Sequence, residues 1–75
     1  MLKRDELARP GSCINRAEDD EPVFVLLGRD AVAPEAVRHW AMNRVYMQKN
    51  KHSDPQIVEA LALADAMEIY RMQHR

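Results

Sequence analysis

Pro22-Val23-Phe24-Val25-Leu26-Leu27-Gly28 is the stretch on which the fold turns. Its residues from Val23 to Leu27 are β-branched, aromatic or aliphatic, Pro22 is tolerated at the first position of a strand, and Gly28 closes the run. The apolar residues do not alternate with polar ones, so the pattern predicts a strand over 22–28 covered on both faces. A strand needs a neighbour for its backbone groups. Ser12 to Arg16 is the sole, weak candidate within the chain. The simplest expectation is therefore pairing with the same strand of another subunit about a two-fold axis.

Downstream, the spacing predicts two helices. Over 34–49, Ala36, Val37, Trp40, Ala41 and Val45 recur at helical spacing and make one apolar face. Asp30 or Ala33 precedes this helix, and Pro34 and Glu35 suit its first turn. Lys49, Lys51 and His52 complement its negative end, where Asn50 can take a left-handed cap. Over 55–72, Asp54 reads as an N-cap and Pro55 as a first residue. Ala, Leu, Met and Glu, all strong helix formers, dominate the residues after Pro55. The apolar residues run nearly all the way round, from Ile57 and Val58 to Ile69 and Tyr70, so this helix is expected to be buried on more than one side. The short connection makes the two helices antiparallel neighbours.

Upstream, residues 1–21 read as a flexible N-terminal arm, and 22–75 as the folded domain. Asp5 to Ala8 suits a turn of helix that Pro10-Gly11 ends. Glu18-Asp19-Asp20-Glu21 is a run of like charge. The predicted fold class is α+β, mostly α: one strand, then an antiparallel helical hairpin, with the strand pairing between subunits.

Length supports the same oligomer. A chain of 75 residues buries only about 60% of its unfolded surface when it folds by itself. Small domains add a disulfide, a metal or a partner. Cys13 is the single cysteine, which excludes an internal disulfide and reads as an incidental thiol. Cys13, His39, His52 and His74 lack the close spacing of zinc ligands, so no metal or other cofactor is expected. A homo-oligomer, dimer or higher, is the support left over.

Composition excludes further classes. The formal charge is −1, from 11 Lys and Arg against 12 Asp and Glu. That balance does not suit a protein governed by nucleic-acid or membrane electrostatics. No apolar run approaches the roughly 20 residues of a membrane span. No basic start with an apolar stretch behind it marks a secretory signal. Charge divides between the helices: residues 35–52 carry a net +3 and residues 54–75 a net −2. The second helix, apolar and acidic, cannot lie in a major groove. Arg38, His39, Asn43, Arg44 and Lys49 on the first would make at most a weak phosphate surface, so DNA binding is the third reading.

No catalytic constellation stands out, and the chain is not expected to be an enzyme. Asp65 and Glu68, three residues apart, share a face of the second helix. The expected role of that pair is structural, against Arg38 or Arg44. The polar cluster that suits a ligand lies just after the strand. Arg29 offers a planar fork for phosphate or carboxylate near a helix N-terminus. Arg38 and His39 lie one turn inside the helix, Arg44 assists, and Trp40 offers a ring for stacking. Arg29, Arg38, His39, Arg44 and Trp40 are thus the candidate ligand-binding residues. Trp40 also falls on the Val37–Ala41 face, where it reads as core.

The stretch from Glu21 to Glu68 resembles small uncharacterised proteins of bacteriophages and prophages. The matching pieces are Glu21-Pro22-Val23-Phe24-Val25-Leu26, Arg29-Asp30, and Ala33-Pro34 with Val37-Arg38 and Trp40-Ala41. Glu59-Ala60-Leu61, Ala64 and Ala66-Met67-Glu68 complete the pattern. The resemblance implies an accessory protein of the host bacterial cytoplasm that acts without catalysis. It would sequester a small anionic ligand, such as a nucleotide second messenger, as a counter-defence protein. The alternative is an interaction module that inhibits a host enzyme.

Overall fold

The computed structural model describes residues 2–74. Its elements are α1 (Lys3–Ala8), α2 (Cys13–Arg16), α3 (Ala33–Tyr46) and α4 (Pro55–Gln73), and the described residues contain no strand. The fold is therefore all-helical, which corrects the expectation of an α+β chain with strand pairing between subunits. Residues 22–27 take no regular secondary structure, and residues 22–26 enter no backbone–backbone hydrogen bond among the described residues. The physical reason is the missing neighbour. A run of strand-forming residues cannot form a ladder without a second strand, and its amides face water instead. Ser12 to Arg16, the weak candidate for that neighbour, is helical: Ser12 Oγ accepts the Asn15 N–H at 3.3 Å as the N-cap of α2.

The α3–α4 hairpin is as the spacing predicts, with the start of α4 at Pro55 as expected and the other boundaries moved by one to three residues. α3 packs against α4 and α1 against α2, and neither helix of the first pair packs against the second pair. Pro34 and Pro55 sit in the first turns, where a missing N–H costs nothing. Asp30 organises the entry to α3. Its Oδ1 accepts the Val32 N–H at 2.9 Å and its carbonyl accepts the Ala33 N–H at 3.1 Å.

The exit from α3 is a Schellman turn. The Gln48 N–H donates to the Val45 carbonyl at 3.0 Å and the Lys49 N–H to the Arg44 carbonyl at 2.9 Å. Gln48 itself takes the left-handed conformation, with φ 59°, a place read from the sequence for Asn50. Asn50 acts through its side chain instead. Its Oδ1 accepts Arg44 Nε–H at 2.7 Å, and its Nδ2 donates to Asp54 Oδ2 at 3.0 Å. This ties the end of α3 to the start of α4. Gln48→Gly removes the Cβ that the left-handed region disfavours. It is expected to raise stability by about 1 kcal/mol, read as an upward shift in urea midpoint. Gln48→Val is expected to lower it.

α1 and α2 form a locally closed motif. Asn15 Nδ2 donates to the carbonyls of Glu6, Leu7 and Arg9 at 3.1, 2.9 and 2.8 Å, which satisfies the open end of α1. Ser12 Oγ donates to the Glu6 carbonyl, and Ser12 is buried. Glu6 Oε1 accepts the Cys13 N–H at 3.1 Å.

The core is small. Its buried apolar residues are Ala33, Pro34, Ala41, Ile57, Ala64 and Met67, and Ile57 is the largest side chain withdrawn completely. Gly28 brings the segment before it against α4, where an added Cβ would lie 3.8 Å from Met67 and 3.7 Å from Tyr70. Leu26 is half-buried, while Val23, Val25, Leu27 and above all Phe24, at 87%, are exposed. The radius of gyration, 13.1 Å, exceeds the roughly 11.3 Å of a compact domain of this length. No helix among the described residues is long and apolar enough to cross a membrane.

Candidate functional site

Arg38 lies at the centre of the best-formed polar cluster. It projects from α3 toward α4, with its side chain about three-quarters withdrawn from water. Nη1 donates to Glu68 Oε1 at 2.6 Å and to Glu35 Oε1 at 3.0 Å, and Nη2 donates to Asp65 Oδ1 at 2.8 Å. Hydrogen bonds to Glu68, then Asp65, then Glu35 hold the guanidinium even more firmly protonated than usual. Asp65 and Glu68 thus do what their spacing suggested: they pair with Arg38 and clasp the two helices. A phosphate arriving at Arg38 would compete with three carboxylates already in place.

The other four candidate residues lie elsewhere. Arg29 is exposed in the turn before α3 and makes no ion pair among the described residues. His39 is exposed on α3. Arg44 stands one turn beyond Trp40, with its guanidinium carbon 5.7 Å from the ring centre, while its Nε–H goes to Asn50. Trp40 is 43% exposed, so it is a partly open shelf rather than the core residue its position suggested. Helical spacing places Arg38 and the Trp40–Arg44 pair on different flanks of α3. The five residues therefore do not converge on one concavity.

Two shallow hollows stand out among the described residues. One, of about 260 Å³, lies beside Pro34, Glu35, Glu68 and Arg71. The other, of about 590 Å³, lies at the hairpin turn among Lys49, Asn50, Lys51, His52 and Asp54. None of the five candidate residues lines either. In the second, the Lys51 backbone N–H and the Asn50 amide hold the Asp54 carboxyl below the usual carboxylate range. Asp54 therefore serves the turn: its side chain does not cap α4 as its position suggested.

Among the described residues no group of three or more His, Cys, Asp and Glu could hold a metal. Cys13 is exposed, with Arg16 Nη2 donating to its Sγ at 3.4 Å. No family model, curated protein or solved structure matches the chain.

The feature that outweighs the rest is exposed surface. The chain exposes 6353 Å², whereas a folded monomer of its 8.7 kDa exposes about 4,700 Å². The excess, roughly 1,600 Å², is the scale of surface that stable association covers. Phe24 and Val25 on the irregular segment before α3, Tyr46 and Met47 at the end of α3, and Val58, Ile69 and Met72 on α4 all contribute to it. The excess counts polar and apolar surface together, and these exposed large side chains are its apolar part. Its cause is visible in the sequence, in the all-round apolar character of α4 and the unpartnered run after Pro22. The α1–α2 motif is not, because side-chain bonds from Ser12 and Asn15 leave no periodic trace.

Proposed function

We propose that the protein is a non-enzymatic interaction module that self-associates and inhibits a host protein, as a phage accessory protein acting in the bacterial cytoplasm. The excess of exposed surface over that of a folded monomer of this size carries the reading. The irregular apolar segment over 22–27 is the part best suited to the host protein. Phe24, 87% exposed, is an aromatic anchor of the kind that dominates binding energy once buried. The test is capture from bacterial lysate by the wild type and by Phe24→Asp. A single stoichiometric protein retained by the wild type and lost with Phe24→Asp, at unchanged helix content, is the expected result. Equal retention by both would refute it.

Sequestration of a small anionic ligand is the second reading. It is favoured by the Trp40 ring beside Arg44 and by the unpaired Arg29. In this reading His39 flanks the shelf, and Arg38 holds the hairpin rather than the ligand. Extra mass in the nucleotide range on protein purified from bacterial cells would put this reading ahead.

A further inference from the structure

α4 carries a second apolar stripe that its own chain leaves uncovered. Val58, Ala62, Ala66 and Ile69 recur at a spacing that places them on one side of the helix, and all four are exposed. The buried residues of α4, Ile57, Ala64 and Met67, lie on other sides of the helix, and Gly28 approaches Met67 and Tyr70. We propose that this stripe is a two-fold interface at which α4 packs antiparallel on α4 of a second copy of the chain. The inference rests on the self-association proposed above and names the surface responsible.

Three observations favour a second copy as the occupant. The first is area. The whole chain exposes roughly 1,600 Å² more than a compact monomer of its mass, and Val58 and Ile69 at the two ends of the stripe, 53% and 54% exposed, belong to that surface. The second is the core, whose largest fully withdrawn side chain is Ile57. A fold this thin needs its support as soon as it forms, and an identical chain is the partner present whenever the protein is made. The third is shape. The stripe has bulky ends, Val58 and Ile69, and small residues, Ala62 and Ala66, between them. Antiparallel pairing sets Val58 beside Ile69 of the other copy and Ala62 beside Ala66, so the helices can approach to about 8 Å. Asp65, at the edge of the stripe, brings little unpaired charge, because Arg38 Nη2 holds its carboxylate at 2.8 Å.

The test is cross-linking. In a Cys13→Ser background of the full chain, Ala62→Cys with Ala66→Cys is oxidised mildly and resolved by non-reducing electrophoresis. The control pair is His39→Cys with Asn43→Cys, equally exposed on α3. Efficient formation of a covalent dimer by the first pair but not the control is expected. In parallel, Ile69→Lys is expected to weaken association by at least about 30-fold, the loss of one hot-spot residue. A chain that sediments as a monomer at every concentration overturns both the second copy and self-association. A dimer that persists with Ile69→Lys, and links no faster through α4 than through α3, overturns this interface alone and leaves self-association standing.

Discussion

Ile57→Ala is expected to abolish cooperative unfolding at 25 °C. Ile57 is completely withdrawn from water and has no large fully buried apolar neighbour to share its role. Truncating such a side chain costs about 2–5 kcal/mol, from lost transfer energy and from the cavity left behind. A core of this size supplies rarely more than about 3–5 kcal/mol. The two quantities are equal in scale, so the variant has no stability in reserve. Circular dichroism during heating should show a broad, shallow decline in place of a sigmoid. Ile57→Val removes one methylene and is expected to cost about 1 kcal/mol while keeping the sigmoid. An Ile57→Ala protein that melts as sharply as the wild type would mean the hairpin is held elsewhere.

Arg38→Glu is expected to open the hairpin at low salt. In the wild type one guanidinium bridges Glu35 on its own helix and Asp65 and Glu68 on α4. Reversal places a fourth carboxylate where those three converge, and like charges at such range repel. The loss should be largest in dilute buffer and should diminish toward 1 M salt, where screening acts within about 3 Å. Arg38→Lys keeps the charge but not the planar fork, and falls between the two. A double-mutant cycle of Arg38→Ala with Glu68→Ala isolates the shortest of the three contacts. Equal stability of Arg38→Glu and the wild type in low salt would show that the clasp contributes nothing.

The parts of the fold that are legible in the sequence rest on periodicity and local chemistry. Pro34 and Pro55 mark the helix starts, and the apolar spacing of Val37, Ala41 and Val45 marks the inner face of α3. The spacing of Asp65 and Glu68 announces their pairing with Arg38. The parts that mislead depend on partners. Val23 to Leu27 have the composition of a strand, but composition does not supply a neighbour, and without one the segment stays unpaired. Helix α1 ends on the amide of Asn15, six to nine residues away, and no repeat in the chain signals such a bond. The charge balance of +3 against −2 between the hairpin halves counts Arg75, which lies outside the described residues. Within the candidate site, Arg38 is legible both as a ligand for phosphate and as a partner for carboxylates. Geometry favours the second, since three acids already occupy it.

On this account the single chain is an incomplete fold that association completes. The most direct measurement is the thermal unfolding midpoint of the wild type across a hundredfold range of protein concentration. Association coupled to folding makes the midpoint rise with concentration, because mass action favours the assembled native state. A rising midpoint is the expected result. A midpoint constant across the range, with a sharp transition, would contradict the account and establish the hairpin as a self-sufficient monomer.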